Sequence, residues 1–149
     1  MINKIDLQNL FYREIPISEK MGVEVLTITT NSLQLLVSLN LNRNHKGTAF
    51  GGSQYSACAL ACYGLFLSSI CEIGHNTNNI VIANGSIKYF HPVSENFIIN
   101  TSWEPNLKNH FFKTLQEKKK AKVNLTANIQ EQNQTEIRSI FNGEFVAFL

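Results

Sequence analysis

The residues of this chain best suited to chemistry stand close together, in Asn44-His45-Lys46-Gly47-Thr48-Ala49-Phe50-Gly51-Gly52 and the uncharged run behind it. No charged side chain occurs from Gly47 to Cys71, and no Asp or Glu from Val25 to Cys71. No proline or turn signal follows Gly52 until Ser68–Ser69. The run therefore reads as one long helix, apolar nearly all round and buried on most sides. A helix start presents unpaired N–H groups and partial positive charge, and a glycine pair there lets a polar oxygen approach the backbone closely. A tight turn before an ordinary helix would use the same glycines. Asn44 is a turn or cap residue on one reading and an amide donor to such an oxygen on the other.

The other candidates are less specific. Gln54 and Tyr55, in the first turns of the helix, either line a pocket or pack. Arg43, Lys46 and Lys88 suit an anionic group equally as solvated surface. The chain has four histidines. His45, His75 and His110 fall in polar loops, and His91, before Pro92, fits the end of a strand. Their scatter gives no metal signal. Cys58 and Cys62 are four apart, hence on one helical face, where they serve as small buried apolar residues; a disulfide framework is not expected.

Six strands and a short helix are expected to position these residues. Ile5, Leu7, Leu10, Phe11 and Ile15 are spaced for an amphipathic helix ending before Pro16. Residues 17–23 make a connecting turn. Val23 to Thr30 is rich in β-branched residues, and Leu33, Leu35, Val37, Leu39 and Leu41 alternate with Gln34, Leu36, Ser38, Asn40 and Asn42, which predicts a hairpin. After the long helix, residues 73–79 form a loop. Strands follow at Ile80–Tyr89, Phe97–Trp103, Lys119–Gln130 and Glu136–Leu149, the last anchored by Ile137, Ile140, Phe145 and Phe148, with no further helix. The Lys118–Lys120 run with Lys122 reads as a solvated strand start.

An antiparallel six-stranded sheet curled around one central helix satisfies this order, an α+β domain spanning residues 1–149. Half of the helix would stay exposed in a monomer, so a homodimer or dimer of dimers is expected. The length of 149 residues suits one domain, and 44% apolar with 16% charged residues is a globular composition. A net charge of +2 does not argue for nucleic acid. The amino-terminal stretch has no secretory core, and the one membrane-length segment, interrupted by Gln54 and serines, reads as a buried helix rather than a membrane span. A reducing cytoplasm is the expected setting.

The stretch Asn44–Gly52, the small-residue helix behind it, and Lys88-Tyr89-Phe90-His91-Pro92-Val93 together resemble hotdog-fold acyl-thioester proteins. More narrowly they resemble the stand-alone bacterial "putative thioesterase" group, which is similar to the carboxy-terminal hotdog half of an acetyltransferase-fused bacterial protein and is associated with malonyl-acyl-carrier-protein decarboxylation. The resemblance covers nearly the whole chain in element order. It implies that Gly51 and Gly52 offer backbone N–H groups to a thioester carbonyl and that Asn44 is an active-site residue. It also implies no resident cofactor, since the phosphopantetheine of acyl carrier protein or CoA arrives with the substrate. The wider thioesterase families often place His just before the glycine pair and an acid seven residues after it; Phe50 and Ala59 stand there instead.

That departure matters to the chemistry. Hydrolysis needs a water activated by a carboxylate or His, and the central helix carries neither. A partner subunit would have to lend Glu72, Glu95 or His91. Loss of CO2 from a malonyl thioester instead leaves an enolate, which needs positioned donors such as Asn44 and the Gly52 N–H. Thioester hydrolysis and non-catalytic acyl-thioester binding are the alternatives, with Arg43, Lys46, Lys88, Phe50, Gln54, Tyr55 and His91 as candidate substrate contacts.

Overall fold

A computed structural model describes residues 1–75 and 79–149 of the chain. Its elements are α1 (Lys4–Glu14), α2 (Ile17–Lys20), β1 (Val23–Ile28), β2 (Ser32–Val37), α3 (Gly51–Glu72), β3 (Ile80–Tyr89), β4 (Phe97–Ser102), α4 (Pro105–Lys118), β5 (Lys120–Glu131) and β6 (Ile137–Phe148). The strands form one six-stranded antiparallel sheet in the order β1-β2-β4-β5-β6-β3. One sheet face packs on α3, which touches five of the strands. The architecture is the one expected. Residues 76–78 of the expected 73–79 loop lie outside the described residues.

Burial follows strand periodicity. Leu33, Leu35 and Val37 of β2, Phe97 and Ile99 of β4, and Val123, Leu125, Ala127 and Ile129 of β5 turn inward against α3 residues such as Cys58, Cys62, Leu65 and Phe66. In β6 the inward phase is Ser139, Phe141, Gly143, Phe145 and Ala147. This corrects the expected anchors: Ile140 is only half-buried and Phe148 is exposed, because both fall on the other phase of the pleat. The second strand also stops before its apolar alternation does. Asn42, buried, donates from Nδ2 to the carbonyls of Met21 and Ser38, which draws the chain off the sheet and leaves Leu41 exposed.

Two helices were not anticipated. Residues 17–20 form a single helical turn, α2, where only a connection was expected. The larger correction is α4. Pro105 sits at its first turn, and Lys119, in the left-handed region at φ 59°, ends it by donating its N–H to the Leu115 carbonyl. Phe111, Phe112 and Leu115 face inward and join Phe66 and Trp103 in an aromatic cluster. Trp103 Nε1 donates to Ser69 Oγ at 2.9 Å, which ties the cluster to α3.

These helices change how α3 is covered. It is long and apolar enough to cross a membrane, yet 72% of its apolar 18-residue segment is buried inside the protein. The expectation that half of it would stay open is corrected to a stripe, Gly52, Tyr55, Ser56, Ala59 and Tyr63. α1 covers one flank. Asn3 caps it, accepting from the N–H groups of Ile5 and Asp6, and Leu7 and Phe11 are fully buried. α1 also shields the β1 edge: Gln8 Oε1 accepts from Val25 N at 2.9 Å, and the Tyr12 hydroxyl donates to the Val23 carbonyl at 2.6 Å. The opposite edge, β3, has no strand beside it among the described residues, and its Val81 and Ile82 are exposed.

The close approach of α1 to α3 depends on Gly64. A Cβ there would lie 2.5 Å from Phe11 Cζ and 2.9 Å from Leu33 Cδ2, both buried. Gly64→Ala should destabilise despite its better helix propensity, by a net of about 1–2 kcal/mol, read as a lowered melting temperature. Unchanged melting would show that the α1–α3 contact is loose. Burial pushes the Cys62 thiol up to about 12 and the Cys58 thiol well above its ordinary value, whereas Cys71 is exposed. A thiol reagent at mildly alkaline pH should therefore find one fast group in the native chain and all three cysteines after denaturation.

Candidate active site

The start of α3 is bare. Phe50 occupies the cap position in extended conformation and supplies no side-chain acceptor, and the first turn contains no acidic residue. Gln54 N donates to the Phe50 carbonyl at 3.1 Å as the first bond of the helix. Among the described residues, the N–H groups of Gly51, Gly52 and Ser53 have no acceptor. They carry the positive end of a helix about 33 Å long.

Aromatic rings crowd the two glycines. The Tyr89 hydroxyl donates to the Gly51 carbonyl at 2.7 Å, and a Cβ on Gly51 would lie 3.0 Å from that oxygen. A Cβ on Gly52 would lie 2.5 Å from Cε1 of Phe50, whose ring is exposed. The glycines thus make room for two rings.

Beside this helix start is a cleft of about 330 Å³, lined by Thr48, Ala49, Gly51, Gln54, Tyr89, Phe90, His91 and Pro92. No carboxylate lies on its wall. Gln54 is buried and fixed at both ends: Nε2 donates to the Ala49 carbonyl at 3.1 Å, and Oε1 accepts from Ser139 Oγ at 2.7 Å. The segment after β3 is pinned to the helix approach by Ala49 N donating to the Val93 carbonyl at 2.8 Å. Beneath it, Arg138 and Glu131 form an ion pair at 3.0 Å with little exposure, and Glu131 Oε1 accepts from Ser94 N at 2.6 Å.

Of the residues singled out in the sequence, Gly51, Gln54 and His91 meet on the cleft wall. Asn44 is not on that wall but adjoins it through Thr48. Its Nδ2 donates to Thr48 Oγ1 at 2.9 Å, and its Oδ1 accepts from Lys46 N at 2.9 Å and Thr48 N at 3.1 Å, so its amide organises the turn that carries wall residue Thr48. Arg43, Lys46 and Lys88 are exposed and off the wall. Tyr55 packs edge-on against Phe141 at 5.1 Å and lines a different groove. Glu72 is at the far end of α3, where Lys108 holds its carboxylate at 3.4 Å, and Glu95 is exposed.

The sequence reading missed Ser139, Glu131, Glu136 and Arg138. Ser139, Arg138 and Glu136 reach the site because β6 pairs with β3 in the register Tyr89↔Ser139, and Glu131 because it ends β5 opposite Phe97 of β4, long-range facts with no local signature. A second groove of about 870 Å³ runs between α1, α3 and β3, lined by Leu10, Tyr55, Ala59, Tyr63 and Ile82 among others. It is larger but has the side chains of Arg13 and Glu14 on its wall, whereas the smaller cleft holds the start of α3 and no carboxylate.

Solved structures of similar proteins share the architecture. A protein of unknown function from Chlorobaculum tepidum superposes with a TM-score of 0.89 at 29% identity, over 97% of this chain and 93% of that one. A protein from Shewanella oneidensis described as a putative thioesterase gives 0.86 at 26% identity, over 98% and 97%. A thioesterase from Haemophilus influenzae gives 0.74 at 8% identity, over 100% and 93%, a likeness of fold alone. The sheet wrapped on one long helix is the hotdog fold. With residues 4–149 matching its model, the chain belongs to the family described as "Putative thioesterase (yiiD_Cterm)".

Proposed function

We propose that the protein acts on acyl thioesters at the start of α3, and that its preferred reaction is decarboxylation of malonyl-acyl carrier protein to acetyl-acyl carrier protein. One observation carries this reading: unclaimed N–H groups at a helix start without acidic residues, beside a cleft without a carboxylate on its wall. When the bond to the departing carboxylate breaks, its electron pair flows into the thioester carbonyl. Donors aimed at that oxygen stabilise the charge as it develops. A fixed carboxylate there would oppose both the substrate's charge and the enolate. Asn44 contributes through its second amide hydrogen or by holding Thr48 in place.

Arg43, Lys46 and Lys88, all exposed, suit the phosphate of a phosphopantetheine arm or the acidic surface of a carrier protein. The free cysteines fit a reducing cytoplasm. Hydrolysis is the second reading, favoured by the thioesterase descriptions of similar proteins and by a His91–Glu136 pair at the cleft. Incubation with malonyl- and acetyl-loaded carrier protein and CoA, with products identified by mass, separates the cases. Acetyl-carrier and CO2 support decarboxylation, free carrier thiol supports hydrolysis, and unchanged substrate leaves a binding module.

A second copy of the chain completes the assembly in this reading. The open β3 edge is ten residues long and exposes Val81 and Ile82, so pairing along it would satisfy its backbone and cover its apolar side chains. Light scattering at micromolar concentration should give a dimer or a dimer of dimers. Lysine at both Val81 and Ile82 should shift it toward monomer; a wild-type monomer would remove this part of the proposal.

Two substitutions test the donors. Asn44→Ala should lower kcat about 100- to 1000-fold with little change in KM, as for loss of a donor used mainly in the transition state. Full turnover by a folded Asn44→Ala dimer would reduce Asn44 to a turn residue. Gly52→Ala forces the Phe50 ring aside, which an exposed ring tolerates, so its melting should change little while kcat falls.

A further inference from the structure

Decarboxylation ends with a carbanion that must be protonated, and a cluster of titratable side chains stands where that step would occur. His91 is on the cleft wall with Gly51 and Gln54. Its Nε2 is 3.3 Å from Glu136 Oε1. Arg138 Nη2 approaches Glu136 Oε2 at 3.5 Å and Glu131 Oε2 at 3.0 Å, and Nη1 donates to the Pro92 carbonyl at 3.4 Å. The Arg138 carbonyl accepts the N–H groups of Phe90 and His91 at 2.8 and 3.2 Å. His91 is thus held by its backbone and its ring, and the chain of contacts ends on Glu131, whose side chain is only 5% exposed.

An isolated surface pair would have little effect on stability. This one is backed by a second, buried pair and holds a histidine that lines the cleft. The remaining proton-bearing side chains of the wall are less suited: the Tyr89 hydroxyl is committed to the Gly51 carbonyl, and Thr48 is an alcohol of very low acidity.

We propose that His91, oriented by Glu136, is the proton donor that completes the reaction; this rests on the decarboxylation reading above. The bond between the α-carbon and the carboxylate breaks, CO2 leaves, and the electron pair enters the enolate. That pair then forms a C–H bond with the proton on His91 Nδ1, the ring nitrogen not engaged by Glu136, giving the acetyl thioester. The neutral imidazole regains its proton from solvent, to which 52% of the side chain is open. Glu136 faces Nε2 and orients the ring, while Arg138, paired with Glu131, fixes the carboxylate in place.

The test uses the purified full chain with malonyl-loaded carrier protein, after melting and oligomeric state have been matched to wild type. His91→Ala should lose about 100- to 10,000-fold in kcat, the usual range for general acid–base catalysis, with KM little changed. Added imidazole should restore part of the turnover, saturably, which no structural repair would mimic. Glu136→Gln should lose less, and Glu136→Asp should recover part of that loss. His91→Gln provides a second variant should His91→Ala fold poorly. Wild type making acetyl-carrier while a folded His91 variant works at full rate, or gains nothing from imidazole, would overturn the assignment to His91 alone. Wild type making no acetyl-carrier would instead overturn the reading beneath it.

Discussion

A 22-residue helix with no charged side chain before its last residue has to be buried along most of its length while its first turn stays open, and the rest of this structure follows from that constraint. Burial of apolar area contributes roughly 25 cal/mol per Å², so α3 is stable only when wrapped. One face of a six-stranded sheet covers much of it, and α1 and α4 add cover through Phe11 and Phe111. Capping would normally satisfy the first N–H groups of such a helix. Here the cap position is Phe50, which has nothing to accept with. The helix start is therefore both firmly held and chemically unsatisfied, a suitable combination for binding a developing negative charge.

The surroundings of the helix start support this division of labour. Asn44 spends three hydrogen bonds on its own loop, Gln54 is fixed between Ala49 and Ser139, and Tyr89 takes the first helical carbonyl. Each bond removes a freedom from the cleft wall without consuming the Gly51 and Gly52 N–H groups. The Glu131–Arg138 pair does the same for the segment from Phe90 to Ser94 from the far side. Rigid groups placed before reaction cost little reorganisation when charge appears, which is how such sites accelerate chemistry.

The two sheet edges show how the same backbone problem receives different answers. Side chains of α1 bond the outer side of β1, and Lys108 of α4 bonds Thr30 O and Asn31 Oδ1 at the nearby hairpin turn. Among the described residues β3 has no such cover, and it carries exposed apolar residues. The open strand edge, more than the central helix, is what this chain leaves uncovered.

The sequence by itself determined the local features: the long helix from its uncharged run, the strands from their alternation, and the bare helix start from a cap position without a polar side chain. It also contained α4, in Pro105 followed by Leu107, Phe111, Phe112 and Leu115, a short apolar spacing between two stronger strand patterns. Tertiary structure alone decided the register of β6 on β3, which brings Ser139, Glu136 and Arg138 to a cleft some fifty residues earlier in the chain. It also decided which phase of β6 faces inward and that Tyr55 looks into a groove rather than the cleft. The physical reason is the same in each case. Periodicity and capping act within a few residues, whereas strand pairing joins distant segments through backbone hydrogen bonds that carry no residue signature.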